Sequence, residues 1–91
     1  MSDGILKHHN RDDLHGITVV LTGKSGRTYV GRWHERQPRG VVMRDATILE
    51  PGGGDTEQWL ARLAKFGVPP DNRMLVVPEE EIAAVARFDE G

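Results

Sequence analysis

The sequence has no cysteine, and that absence removes disulfide scaffolds, thiolate metal centres and thiol nucleophiles together. With no covalent staple, any fold must rest on an apolar core and its hydrogen bonds. Aromatic residues are scarce as well: one Tyr, two Trp and two Phe among 91 residues. No segment approaches the roughly 20 apolar residues of a membrane-spanning helix. Residues 1–13 also lack an apolar run of signal-peptide length, so a soluble, cytoplasmic protein with no membrane partner is expected. Serine occurs only as Ser2 and Ser25, which leaves little for nucleophilic catalysis. A large excess of one charge is missing too. Twelve Lys plus Arg face fourteen Asp plus Glu, a formal net charge of -2, which excludes a uniformly cationic nucleic-acid binder.

What is present is enough for one small domain. Hydrophobic residues make up 37% and charged residues 29%, and the apolar positions fall in short clusters. A chain of this length buries only about 60 to 65% of its unfolded surface, so one core is the ceiling. The charge is unevenly spread: residues 1–49 carry eight basic and five acidic side chains, and residues 50–91 carry four basic and nine acidic.

Residues 1–15 mix three His, three Asp and two basic residues around Ile5 and Leu14 and read as a flexible lead-in, with a helical turn through Arg11 to Leu14. Gly16 to Thr22 is β-branched and bounded by glycines, a strand signature. Gly23-Lys24-Ser25-Gly26 reads as a hairpin turn with two glycines at positive φ. A second strand, Arg27 to about Glu35, places Tyr29, Gly31 and Trp33 on the expected core face and Thr28, Val30, Arg32 and His34 on the other. Gly31 between two aromatics predicts a tight bend. Arg36 to Gly40 reads as the next turn, and Val41 to about Ile48 as a third strand that leaves regularity at Asp45-Ala46-Thr47.

Pro51-Gly52-Gly53-Gly54 is a loop. A helix follows, capped by Asp55 or Thr56 with Gln58 placed for a capping box, striped by Trp59, Leu60, Leu63, Ala64 and Phe66, and closed by Gly67 before Pro69-Pro70. Met74 to Val77 is a fourth strand. Residues 79–88 admit two readings: a helix opened by three Glu, or a single turn over Glu79 to Glu81 followed by a short strand. The second is preferred.

The ordered segments Val19-Val20-Leu21, Gly26 to Trp33, Gly40 to Ala46 and Leu75 to Val85 resemble the Sm-like (LSm) family. Gly-Arg-x-Tyr-x-Gly-x-Trp is similar to that family's second strand, and Val-Val-Met-Arg-Asp-Ala to its third. The resemblance implies a mostly β fold, a small five-stranded SH3-like or Sm-like open barrel, here with an inserted helix at about 56–66 between strands three and four. It further implies a single barrel domain over 16–88, with the helical insertion at 51–73 and a tail at 89–91. Members that grip uridine-rich RNA use an Asp and an Asn before the third strand and an Arg-Gly in the last turn. Here the Asn position is taken by Gly40, Arg36 to Arg39 stand in place of the acidic loop, and the last turn reads Pro78-Glu79-Glu80-Glu81. No residue of that pocket carries over. The implied function is a non-catalytic homo-oligomeric ring with RNA as a possible partner, without cofactor or small-molecule substrate; the alternative is a structural or assembly accessory module, such as a phage or bacterial protein, with no nucleic-acid ligand.

Lys24 to Arg44 holds six cations (Lys24, Arg27, Arg32, Arg36, Arg39, Arg44) against Glu35. Arginine binds phosphate bidentately, so Lys24, Arg36 and Arg39 are the candidate RNA or phosphate contacts. The competing and preferred reading is a solvated face, or one that pairs with Glu79 to Glu81 of a neighbouring subunit. Leu75, Val76 and Val77, on an apolar and uncharged strand, are the candidate oligomer edge, and Trp59 is the candidate anchor of the inserted helix. Three chemical motifs are set aside. Gly23-Lys24-Ser25 lacks the preceding glycine of a phosphate-binding loop, Thr18 standing there, and does not open a helix. His8, His9, Asp12, Asp13 and His15 could ligate a metal but read as a solvated terminus. His34-Glu35 reads as strand-end surface rather than an acid-base pair. Neither a metal site nor a catalytic residue is expected.

Overall fold

The computed structural model describes residues 14–88. The helical turn expected at 11–14 lies outside them but for Leu14, which opens a turn closed by the Ile17 N–H on its carbonyl at 2.9 Å. The β-branched run forms β1, Thr18–Gly23, and the glycine-bounded turn leads back into β2, Thr28–Gln37. In that turn only Gly26 takes positive φ (+99°). Gly23 does not, contrary to expectation; the Glu81 carboxylate occupies the space a Cβ would take, so a side chain there would displace it.

Strand β2 runs two residues beyond the expected end, so the turn to β3, Gly40–Leu49, is only Pro38-Arg39 and Arg36 belongs to a strand. The predicted bend is a β-bulge. Val30 pairs with Thr47 and Arg32 with Arg44, so Gly31 faces both Asp45 and Ala46. A Cβ on Gly31 would stand 2.6 Å from that of Ala46, so any larger residue forces the bulge to shift. Asp45 takes φ +52°, a left-handed conformation that Asp tolerates better than most side chains. A second irregularity follows: Trp33 pairs with Met43 but Glu35 with Val42, leaving His34 as the extra residue. This flips the alternation and puts Arg36 opposite Val41, on the core side.

After the Pro-Gly loop comes α1, Thr56–Phe66, with Asp55 as N-cap accepting from the Glu57 and Gln58 N–H groups at 2.9 and 3.2 Å, and the Gly67 N–H closing on Leu63 at 2.8 Å. Leu63 is the buried residue of its stripe, Trp59 is half-buried and Phe66 is 74% exposed. Strand β4 spans Asn72–Pro78, a 3₁₀ turn follows at Glu79–Glu81, and β5 spans Ile82–Arg87. The turn-plus-strand reading of 79–88 is the observed one.

All five strands form one antiparallel sheet in the order β4-β3-β2-β1-β5. Its inner face holds the core: Val19, Leu21, Tyr29, Trp33, Val41, Met43, Ala46 and Val77, flanked by Leu14, Ile17, Ile48, Leu75 and Ile82. The outer face is not simply solvated. Val30 and its partner Thr47 are buried there, and the Thr47 hydroxyl donates to Asp71 Oδ2 at 2.7 Å, which ties the segment after α1 to the sheet. Among the described residues no helix is long and apolar enough to cross a membrane.

Candidate nucleic-acid and assembly surfaces

The turn Glu79–Glu81 sits where two hairpins meet. Glu79 forms an ion pair with Arg36, and its N–H donates to the Arg39 carbonyl at 3.0 Å, fastening the β2–β3 hairpin. Two residues on, the Glu81 carbonyl accepts from the Lys24 N–H at 2.7 Å. Its carboxylate accepts from the Ser25 hydroxyl, from the Ser25 N–H at 3.1 Å and from the Tyr29 hydroxyl at 2.8 Å, fastening the β1–β2 hairpin. The structure thus brings Lys24, Arg36 and Arg39 to one three-residue turn.

These bonds set the local ionisation. The Ser25 hydroxyl, then the Tyr29 hydroxyl, hold the Glu81 carboxyl below its ordinary value, against a smaller desolvation effect. Burial first, and the Glu81 carboxylate second, push the Tyr29 phenol up. The hydrogen bond from Arg27 to Glu50 raises Arg27.

Half of the cationic cluster is neutralised within the chain. Arg27 pairs with Glu50 at 2.8 Å, Arg32 with Asp45 at 2.6 Å, and Arg36 with Glu79. Glu79 therefore meets a cation of its own subunit. Among the described residues Lys24, Arg39 and Arg44 have no ion-pair partner, and Lys24 and Arg39 are exposed. Of the candidate contacts, Lys24 and Arg39 are exposed and without an ion pair among the described residues, whereas Arg36 is held by Glu79.

The candidate edge divides in the same way. Val77 is core and Leu75 packs against the core, while Val76 and its neighbour Met74 are 46% and 59% exposed. Among the described residues no further strand pairs beyond β4 or beyond β5. On β5 the residues Ala83 to Arg87 are all exposed. Sequence reasoning passed over this second edge. Its signal is the run Ile82-Ala83-Ala84-Val85-Ala86, apolar without the polar alternation of a strand that has one wet face.

The remaining motifs come apart. Glu35 accepts from Gln37 rather than from His34. Ser25 donates to Glu81, with no imidazole among its partners in the described residues. Among the described residues no group of three or more His, Asp or Glu could hold a metal, and His8, His9, Asp12 and Asp13 lie outside them.

The crystal structure of the SmAP (LSm) protein from Methanococcus vannielii is similar to this chain, with a TM-score of 0.58 over 94% of this chain and 97% of that one, at 16% sequence identity. No protein-family model matches the sequence, and no curated protein is similar to it. The architecture is Sm-like.

Proposed function

We propose that the chain is a non-catalytic Sm-like protein that closes into a homo-oligomeric ring by pairing the free edge of β4 with the free edge of β5 of the next copy. The observation that carries this reading is the pair of edges left without a strand partner among the described residues, one bearing Met74 and Val76 and the other Val85 among small apolar residues. A head-to-tail contact between two different edges of one protomer closes into a ring when the rotation permits and satisfies the unpaired backbone groups of both. Within the ring, Lys24 and Arg39 contact RNA phosphates, and Arg36 adds to them only when Glu79 releases it.

Two such contacts per subunit give affinity that is weak, insensitive to base and strongly dependent on salt. Binding of a uridine tract and of a mixed-sequence strand should then be equal and fall together as salt rises; tight, salt-insensitive selection of uridine would contradict the reading. The ion pair of Arg36 with Glu79 favours a second reading, the same ring as a structural module with no nucleic-acid ligand. The ratio of absorbance at 260 and 280 nm in freshly purified protein separates them: co-purifying RNA supports the first, and its absence together with no binding at low salt supports the second.

A further inference from the structure

We propose that the outer face of the sheet carries a binding site for a phosphate monoester, between His15, the bulge of β3 and the segment that follows α1. A recess of about 250 Å³ is lined by His15, Arg32, His34, Arg44 and Asp45, among others. A second, of about 330 Å³, shares Arg32 and Asp45 and continues over Gly31 to Val68 and Pro70. The two adjoin at Arg32 and Asp45, the guanidinium of Arg44 lining the first and Val68 and Pro70 the second.

The bulge builds the polar end. Asp45, held in the left-handed region opposite Gly31, places Oδ2 2.6 Å from Arg32 Nη2. A side chain kept in a sparsely populated backbone conformation to fix a guanidinium is the kind of strain that accompanies binding sites. The pair leaves the Nε and Nη1 donors of Arg32 without a partner among the described residues. Arg44, exposed and next in sequence, has no ion pair among them either.

Across the recess, the His15 Nδ1–H donates to the His34 carbonyl at 2.5 Å, and the two rings lie 5.4 Å apart by centroid. A carbonyl can only accept, so the proton sits on His15 Nδ1 and the ring is fixed against β2; in the neutral imidazole Nε2 is an acceptor, so the donors for an anion come from the guanidinium groups. Two guanidinium groups thus line a space whose single carboxylate is already bound. That donor surplus selects an anion, and the several directions of approach suit the tetrahedral oxygens of phosphate better than a planar carboxylate. A monoester adds one organic group, which the adjoining recess receives along Val68 and Pro70.

This site is distinct from the Glu79–Glu81 turn, and its test does not depend on ring formation or RNA binding. The full chain is titrated by NMR at fixed ionic strength with inorganic phosphate, with phenyl phosphate and with a uridine hexanucleotide lacking terminal phosphate. Saturable shifts at His15, His34 and Arg44 are expected with both phosphates, phenyl phosphate binding more tightly. Arg44→Gln should weaken both about tenfold, or about 1.4 kcal/mol; Arg44→Lys, which keeps the charge but loses the fork, should recover part of that loss. Val68→Ser should erase only the phenyl advantage, and Arg39→Gln should change neither. Matched unfolding midpoints show that the variants fold. Shifts that grow linearly at every basic residue and survive Arg44→Gln would overturn the site as general screening. Equal affinity at the same residues for the hexanucleotide would overturn the monoester assignment in favour of a diester backbone.

Discussion

Val19 and Leu21 on β1 expose nothing to solvent, whereas on β5, the strand hydrogen-bonded to it, every residue from Ala83 to Arg87 is exposed. Both strands are rich in small and β-branched apolar residues. Burial accounts for that composition on β1, where the side chains belong to the core. On β5 nothing among the described residues accounts for it. The difference separates what one chain needs in order to fold from what its edges need in order to be covered, and substitutions can act on the two separately.

The largest effect is expected at the centre. Trp33→Ala removes a side chain that is 2% exposed and should cost about 3 to 5 kcal/mol, read as the loss of a cooperative urea transition. Gly31→Ala drives a methyl group into Ala46 and should cost about 1 to 3 kcal/mol as the bulge shifts to admit it. At the edge the same measurement should barely move. Val76→Lys, at a position 46% exposed, should change protomer stability by less than about 0.5 kcal/mol and yet abolish assembly in light scattering. If it unfolds the protomer instead, the separation between core and edge fails.

The clasp at Glu81 joins the two regions, since it ties the start of β5 to the first hairpin. Its carboxyl is held below the ordinary value in the folded chain, so its contribution is present above the unfolded pKa and lost as the pH falls through the folded one. The urea midpoint should therefore drop on acidification through and below the carboxylate range near about pH 4, and Glu81→Gln should flatten that drop. Tyr29 acts in the opposite direction: its raised pKa gives a contribution that is present below about pH 10 and lost above the folded value. The smallest effect is at Arg39, where Arg39→Ala should reduce the salt slope of RNA binding by about one per subunit contact and leave stability unchanged.

Much of the fold was legible because its signals are local. The Gly31 bend lies between two aromatics, the α1 cap is written as Asp55 before Glu57-Gln58, and Pro78 with three Glu marks the last turn. Two features were not local. The extra residue at His34 is defined only by pairing with β3, and it alone turns Arg36 toward Glu79. The Glu81 clasp joins residues 52 and 56 positions apart, which no spacing rule connects. For the same reason the cationic cluster looked larger in sequence than it is in space: Glu50, Asp45 and Glu79 approach from other segments and neutralise three of its six members.

Native mass spectrometry, run on the parent chain and on Val76→Lys, tests the edge-pairing account most directly. The parent should appear as one closed multiple of the 10.1 kDa protomer and the variant as the protomer alone. A parent that remains strictly at 10.1 kDa at high concentration, or a variant that assembles as the parent does, would contradict it.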